Sequence, residues 1–371
     1  MTAETSVPES SAPGPSAPGP SAPATAGPAT SRAAAAIAPL PVDRVSELSA
    51  GILDRVRSVV VGMEESLELA LAAILAGGHV LFEDVPGLGK TLAARSLATA
   101  LGLGFRRLQC TPDLLPADIT GSFVYDPAEG EFVFRQGPVF AGLFLADEIN
   151  RTSPKTQSAL LEAMAEGQVT VEGNSYRLPM PFHVVATSNP IEYEGTYALP
   201  EAQLDRFMLR LAVGYAEREG ETQILLNRVA RRHEVAAIDP VIDSATLLGM
   251  QAGIEQVYVE PDIARYCVDL AMATRRHPAV QVGASPRGSQ GLMLVARARA
   301  VMDGRDFVAP EDVKRVAVPV LAHRLTLTTQ AWATGAAAED VVAGVVNQVA
   351  GPPTVGARPA ADPAGPREDR P

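Results

Sequence analysis

The sequence predicts an α/β fold: a parallel five-stranded sheet covered by helices, followed by an all-helical second part. Three observations carry this. Between about Val42 and Ala216, short apolar or β-branched runs alternate with helical patterns, the rhythm of a parallel sheet buried on both faces. A glycine-rich turn joins the first of these runs to the helix after it. Beyond about Ala216 the short runs stop, and only helical periodicity continues.

In order, His79–Val85 (HVLFEDV) reads as the first strand, and a helix runs from Thr91 to about Leu101. Arg106–Cys110, Leu143–Asp147, His183–Thr187 and Arg206–Val213 supply four further strands. Two strand-turn-strand insertions, Gly121–Arg135 and Gly167–Leu178, interrupt this order. Helical patterns then fit residues 217–233, 243–255, 261–276, 286–302 and 310–323. Residues 1–41 are rich in Pro, Ala and Gly, and 11–23 read SAPGPSAPGPSAP. Such a repeat offers nothing to bury and predicts a solvated, disordered tail. Residues 351–371 predict the same. The expected division is therefore an α/β domain over 42–215 and a helical domain over 216–350.

A chain of 371 residues holds about two domains, and 47% hydrophobic against 20% charged residues is the balance of a globular protein. The net charge is -12, of which the N-terminal tail carries -1 and the C-terminal tail 0, so the folded part is itself acidic. That argues against a general nucleic-acid binder, which needs basic surface for phosphates. Cys110 and Cys267 cannot build a disulfide framework, which favours a reducing, cytoplasmic setting. No apolar run reaches about 18 residues and no secretory leader opens the chain, so no membrane span is expected. The histidines have no metal-ligand spacing.

The chemistry begins at Asp84-Val85-Pro86-Gly87-Leu88-Gly89-Lys90-Thr91, between a strand and a helix. Gly87 and Gly89 let backbone N–H groups turn inward to cradle phosphates. Lys90 can reach the terminal phosphates, and the Thr91 hydroxyl can ligate Mg²⁺. Asp84 stands where the full P-loop pattern has glycine. Leu143-Phe144-Leu145-Ala146 buries a strand whose carboxyl end presents Asp147 and Glu148, at the edge where open α/β sheets bind ligands. Asp147 would hold Mg²⁺, directly or through water, and Glu148 would take a proton from an attacking water. A further strand ends in Ser188-Asn189-Pro190. Asn189 there either orients that water or simply forms a turn before proline. Arg206 falls at a helix–strand junction, as a surface ion-pair partner or as a finger entering a neighbouring subunit's site. Ser285-Pro286-Arg287 has the N-cap and first-turn pattern of a helix start. A cation on that first turn opposes the helix macrodipole, which points to an anionic partner for Arg287.

With these stretches in place, the chain resembles the MoxR branch of the AAA+ ATPases over about Val59 to Val349. The resemblance rests on EDVPGLGKT (83–91), QCTPDLLPADITG (109–121), FRQGPVF (134–140), LADEINRTSPKTQSALLEAM (145–164), VVATSNP (184–190), LPEAQLDRF (199–207) and GASPRG (283–288). It implies a P-loop AAA+ core with β-hairpin insertions and a helical lid. It also implies ATP and Mg²⁺ as ligands, with Pro86–Thr91 as the phosphate loop and Asp147 and Glu148 as the acidic pair. Asn189 matches the first sensor, Arg206 the arginine finger and Arg287 the second sensor. Val61 and Gly62 match the segment that contacts adenine. The branch further implies a hexameric ring that remodels or activates protein targets, with von Willebrand A domain proteins as typical partners. Nothing in the chain names its target.

Three functions compete at this level. An ATP-driven protein remodeller leads. A ring motor for another substrate, helicase-like or like the magnesium-chelatase motor subunit, is the alternative; the acidic core weighs against the helicase version. A scaffold that binds nucleotide without turnover is the third, and intact Lys90, Asp147, Glu148 and Asn189 weigh against it.

Overall fold

Alternation along each strand decides which side chains meet on which face of the sheet. The computed structural model describes residues 37–190, 196–232 and 238–352; residues 1–36 and 353–371, which make up nearly all of the two predicted tails, lie outside them. Helices α1 (Val42–Arg57) and α2 (Glu64–Leu75) precede β1 (Val80–Glu83) and α3 (Lys90–Ala100). Next come β2 (Phe105–Gln109), α4 (Pro116–Thr120), the hairpin β3 (Gly121–Asp126) and β4 (Glu131–Gln136), then β5 (Leu143–Asp147) and α5 (Pro154–Glu166). A second hairpin, β6 (Gln168–Val171) and β7 (Asn174–Arg177), leads to β8 (His183–Ser188), α6 (Glu201–Leu204) and β9 (Leu209–Leu211). The remainder is α7 (Arg218–Arg231), α8 (Ser244–Ile254), α9 (Pro261–Arg276), β10 (Val280–Val282), α10 (Pro286–Met302), α11 (Pro310–Leu321), β11 (Thr326–Leu327), α12 (Thr329–Ala333) and α13 (Ala338–Gln348).

The predicted five-stranded parallel sheet forms, in the order β2-β5-β8-β1-β9. Val80, Phe82, Leu143, Leu145 and Val185 point to one face and join α1, α2, α3 and the C-terminal helices in one apolar core. Leu81, Phe144, Ala146, Val184 and Ala186 point to the other, against α5, Ile119 and Val139. Burial on both faces explains why these strands read as continuous apolar runs. The first and larger core runs unbroken from the sheet into α8–α11, so the helical part packs directly on the α/β part.

Two expectations need correction. The region after Ala216 is not free of strands, because β10 and β11 pair antiparallel there. Strands of three and two residues are too short to leave a periodic signal. The strand expected over Arg206–Val213 is confined to Leu209–Leu211. Arg206 instead lies in a turn after α6, where Arg206 N–H donates to Gln203 O (3.1 Å) and Phe207 N–H to Leu204 O (3.0 Å).

Two histidines at the strand starts are structural. His79 Nδ1 accepts from Val184 N–H (3.0 Å), which leaves Nε2 to donate to Met164 O (3.2 Å). His183 Nδ1 donates to Gly78 O (2.9 Å), and its Nε2 accepts from the Gln251 amide (3.2 Å). Both rings are thus held neutral. Burial first, and then the neighbouring His183, pulls the pKa of His79 down to about 4. Because the folded value lies below the unfolded one of about 6.5, the stabilisation is complete above pH 6.5 and is lost as pH falls toward 4. The slope is about 1.4 kcal/mol per pH unit for one such group. Urea unfolding between pH 6.5 and 4.5 is expected to show this loss. His79→Gln, whose amide can accept and donate in the same places, is expected to flatten it by about one proton; an unchanged slope would contradict the assignment.

Candidate functional site

Glycine geometry at the end of β1 builds the first wall. Gly87 (φ +87°) and Gly89 (φ +83°) adopt the left-handed conformation that other residues resist. Gly89 is the N-cap of α3, so the loop delivers that helix's free N–H groups to one spot. Lys90 begins α3 and folds back, its Nζ donating to Asp84 O (2.6 Å) and Val85 O (3.0 Å). Burial holds the Lys90 ammonium below the usual lysine range, opposed by the charges of Asp84, Asp147 and Glu148.

Asp84, the departure from the P-loop pattern, has a clear structural task. Its Oδ2 accepts from Val213 N–H and Gly214 N–H (2.7 Å each), and its Oδ1 from Val85 N–H (2.7 Å). Burial alone would raise this carboxyl, but the amide donors of Gly214, Val85 and Val213 outweigh it and hold it below the usual range. Asp84 therefore ties the phosphate loop to the segment that leads from the sheet into α7.

The second wall is the carboxyl end of β5. Asp147 Oδ1 accepts from Thr187 Oγ1 (2.6 Å), and its Oδ2 lies 3.2 Å from Thr91 Oγ1. Arg107 also holds that Oδ2, through Nε (2.9 Å) and Nη2 (2.8 Å). The backbone turns sharply at Glu148 (φ 58°), whose N–H donates to Thr187 Oγ1 (2.8 Å). Its Oε2 accepts from Gln109 (2.8 Å) and Arg151 (2.9 Å). Asn189, buried just beyond β8, completes the wall. Asn150 fixes its backbone, donating from Nδ2 to Asn189 O (3.0 Å).

Two adjoining cavities result, sharing Pro86–Gly89. One, of about 250 Å³, is lined by Lys90, Thr91, Asp147, Glu148 and Asn189, with Arg107, Gln109 and Thr187. The other, of about 350 Å³, is mainly apolar and includes Val61, Gly62, Leu92, Tyr215 and Ile224. A polar, cation-lined chamber beside an apolar one suits a triphosphate joined to a base. Thr91 Oγ1 and Asp147 are oxygen donors close enough to share a hard cation such as Mg²⁺.

The structure thus gathers Val61, Gly62, Pro86, Gly87, Leu88, Gly89, Lys90, Thr91, Asp147, Glu148 and Asn189 around the paired cavities. It does not bring Arg206 or Arg287 there, since neither lines a wall. Both lie beside Asp205: Arg206 follows it in the chain, and Arg287 Nη1 is 3.9 Å from its Oδ2. The ion-pair reading of Arg206 finds no partner among the described residues, and its Nε is buried without a hydrogen bond. Sequence reasoning missed Arg107, Gln109 and Thr187. The available signal was period two: Arg107 and Gln109 alternate along β2, whose register sets Gln109 against Asp147. Cys110 and Cys267 are both buried, and burial pushes each thiol up to about 12.

The family described as the ATPase family associated with various cellular activities (AAA) matches residues 79–209, and the AAA lid domain matches residues 272–345. The chain is 47% identical over 297 residues to the uncharacterized protein YeaC of Bacillus subtilis, covering 80% of this chain and 92% of that one. It is 42% identical over 306 residues to the chaperone MoxR1 of Mycobacterium tuberculosis, covering 80% of each. A crystal structure of a putative ATPase from Cytophaga hutchinsonii superposes with a TM-score of 0.79 at 38% identity, over 84% of this chain and 97% of that one.

Proposed function

Because the chain belongs to the MoxR family of AAA+ ATPases, we propose that it hydrolyses ATP with Mg²⁺ and uses the cycle to remodel or activate protein targets. One observation carries this reading: Lys90, Thr91, Asp147, Glu148 and Asn189 all line one cavity at the carboxyl edge of the sheet. The apolar chamber with Val61 and Gly62 takes the base. The amides at the start of α3 and Lys90 bind the phosphates. Thr91 and Asp147 would hold Mg²⁺, which would supply charge neutralisation at the phosphate oxygens. Asn189 orients the attacking water and Glu148 accepts its proton. Gln109 and Arg151 both hold its Oε2, which leaves Oε1 for that water.

Arg206 and Arg287 act on a neighbouring copy. Their place beside Asp205, away from the chain's own cavities, supports this. A head-to-tail contact of that kind closes into a ring when its rotation allows, and a hexamer is the proposed state. The proposed working division is an α/β domain over 42–215 and a helical domain over 216–350, hinged where Asp84 holds Val213 and Gly214. No helix among the described residues is long and apolar enough to cross a membrane. The cytoplasm is the proposed location, and a von Willebrand A domain protein the proposed class of partner.

Phosphate release with Mg²⁺ and with excess chelator tests the activity. Chelation is expected to stop it. Lys90→Ala removes the ammonium that lines the phosphate cavity, so both nucleotide binding and turnover are expected to fall. A Lys90→Ala protein that binds and hydrolyses ATP at the wild-type rate would overturn the reading.

A further inference from the structure

Asp205 and Arg324 have no part in the chemistry above, yet they form a densely bonded, partly buried polar cluster. Arg324 follows α11, and its side chain is only 4% exposed. Its Nε donates to Asp205 Oδ1 (2.8 Å), its Nη2 to Phe207 O (2.8 Å) and its Nη1 to Met208 O (3.3 Å). One guanidinium from the helical part therefore grips the backbone and carboxylate on both sides of Arg206. Burial, above all, draws the Arg324 guanidinium below the usual arginine range; Asp205 opposes this and the charge of Arg287 adds to it.

The same carboxylate also reaches the start of α10. Ser285 Oγ donates to the carboxylate (3.0 and 3.2 Å) while accepting from Arg287 N–H (3.1 Å) as the N-cap of that helix. Asp205 thus fixes the turn that carries Arg206 and the helix start that carries Arg287. Charge then sets what the cluster lacks. Arg324 already neutralises Asp205 at contact distance. Among the described residues Arg287, 57% exposed, has only a long ion pair to that carboxylate, at 3.9 Å, and Arg206 has none; neither lines the chain's own phosphate cavity. An anion held by a second copy would complete them.

We propose that Asp205 is the positioning residue for both Arg206 and Arg287: clamped by Arg324, it presents them as one cationic unit to the triphosphate held by a second copy of this chain. This rests on the reading that Arg206 acts in trans. Loss of the mount displaces both arginines together while the subunit's own P-loop stays intact. A misplacement of about 1 Å costs up to about 10²-fold in rate.

The test uses Asp205→Asn, which keeps an acceptor but removes the charge, and Arg324→Lys, which keeps the buried cation but not the fork. Each full-length protein is assayed for phosphate release and for affinity toward a fluorescent ATP analogue, then mixed with Lys90→Ala or with Arg206→Ala. The proposal expects turnover to fall by about 10²-fold, unchanged analogue affinity, recovery on mixing with Lys90→Ala and no recovery with Arg206→Ala. Wild-type turnover, no recovery with Lys90→Ala, or recovery with Arg206→Ala would each overturn it. Mixing Arg206→Ala with Lys90→Ala is the reference arm. If that pair stays inactive, the trans reading falls and takes this proposal with it; if it recovers and the Asp205→Asn arms do not behave as stated, only the positioning role falls.

Discussion

Arg206→Ala is expected to lower ATP turnover by about 10³–10⁵-fold, the range for arginine fingers generally, while the same subunit still binds nucleotide. In free energy this is about 4–7 kcal/mol of transition-state stabilisation. The expectation follows from where the guanidinium sits. A half-buried arginine with a buried, unbonded Nε and no ion pair among the described residues keeps a donor available to an incoming acceptor. The cavity that holds Lys90 and Asp147 is not lined by Arg206, so its removal leaves that cavity's own contacts untouched. Equilibrium binding of an ATP analogue and phosphate release, measured on one preparation, separate the two effects. Equal loss of both would place Arg206 in its own subunit's site.

Glu148→Gln is expected to lose about 10²–10⁴-fold in turnover, the range for a general base, with binding retained. The amide cannot accept a proton from water, but it can keep an acceptor oxygen toward Gln109 and Arg151. The local backbone therefore has no reason to move. In the proposed reading metal and phosphate contacts would fall to Thr91, Asp147 and Lys90, which line the same cavity and which the substitution leaves alone. After mixing with Mg²⁺ and ATP, the variant should retain ATP, and wild type ADP, when the bound nucleotide is extracted. A variant that binds no nucleotide would assign Glu148 to structure or metal ligation instead.

How much of this was legible in the sequence depended on the range of the interaction. The P-loop spans eight consecutive residues between a strand and a helix, and Asp147 and Glu148 directly follow four apolar residues of β5. Local order alone places such groups. Arg107 and Gln109 reach Asp147 and Glu148 only because β2 pairs in register with β5. That register joins segments some 40 residues apart, and the edge strand's alternating polar residues look like ordinary exposed surface. Helix α1 carries regular apolar spacing at Val45, Leu48, Ile52 and Val56, yet it precedes the first strand, where the strand–helix rhythm gives no reason to expect it. Asp84 looked like a weakness in a phosphate loop. Only the fold shows its carboxylate binding the amides of Val213 and Gly214, about 130 residues away. Arg206 was expected to open a strand, but the bonds from Arg206 to Gln203 and from Phe207 to Leu204 close a turn that propensity did not reveal.

The central claim is that each site draws its phosphate loop from one copy of the chain and its arginine from the next. Mixing two inactive proteins, Arg206→Ala and Lys90→Ala, tests it most directly. In mixed rings some interfaces pair an intact Lys90 with an intact Arg206 from the neighbour, so phosphate release should partly return as the proportions approach equality. No recovery, in assemblies shown by light scattering to contain both proteins, would contradict the claim.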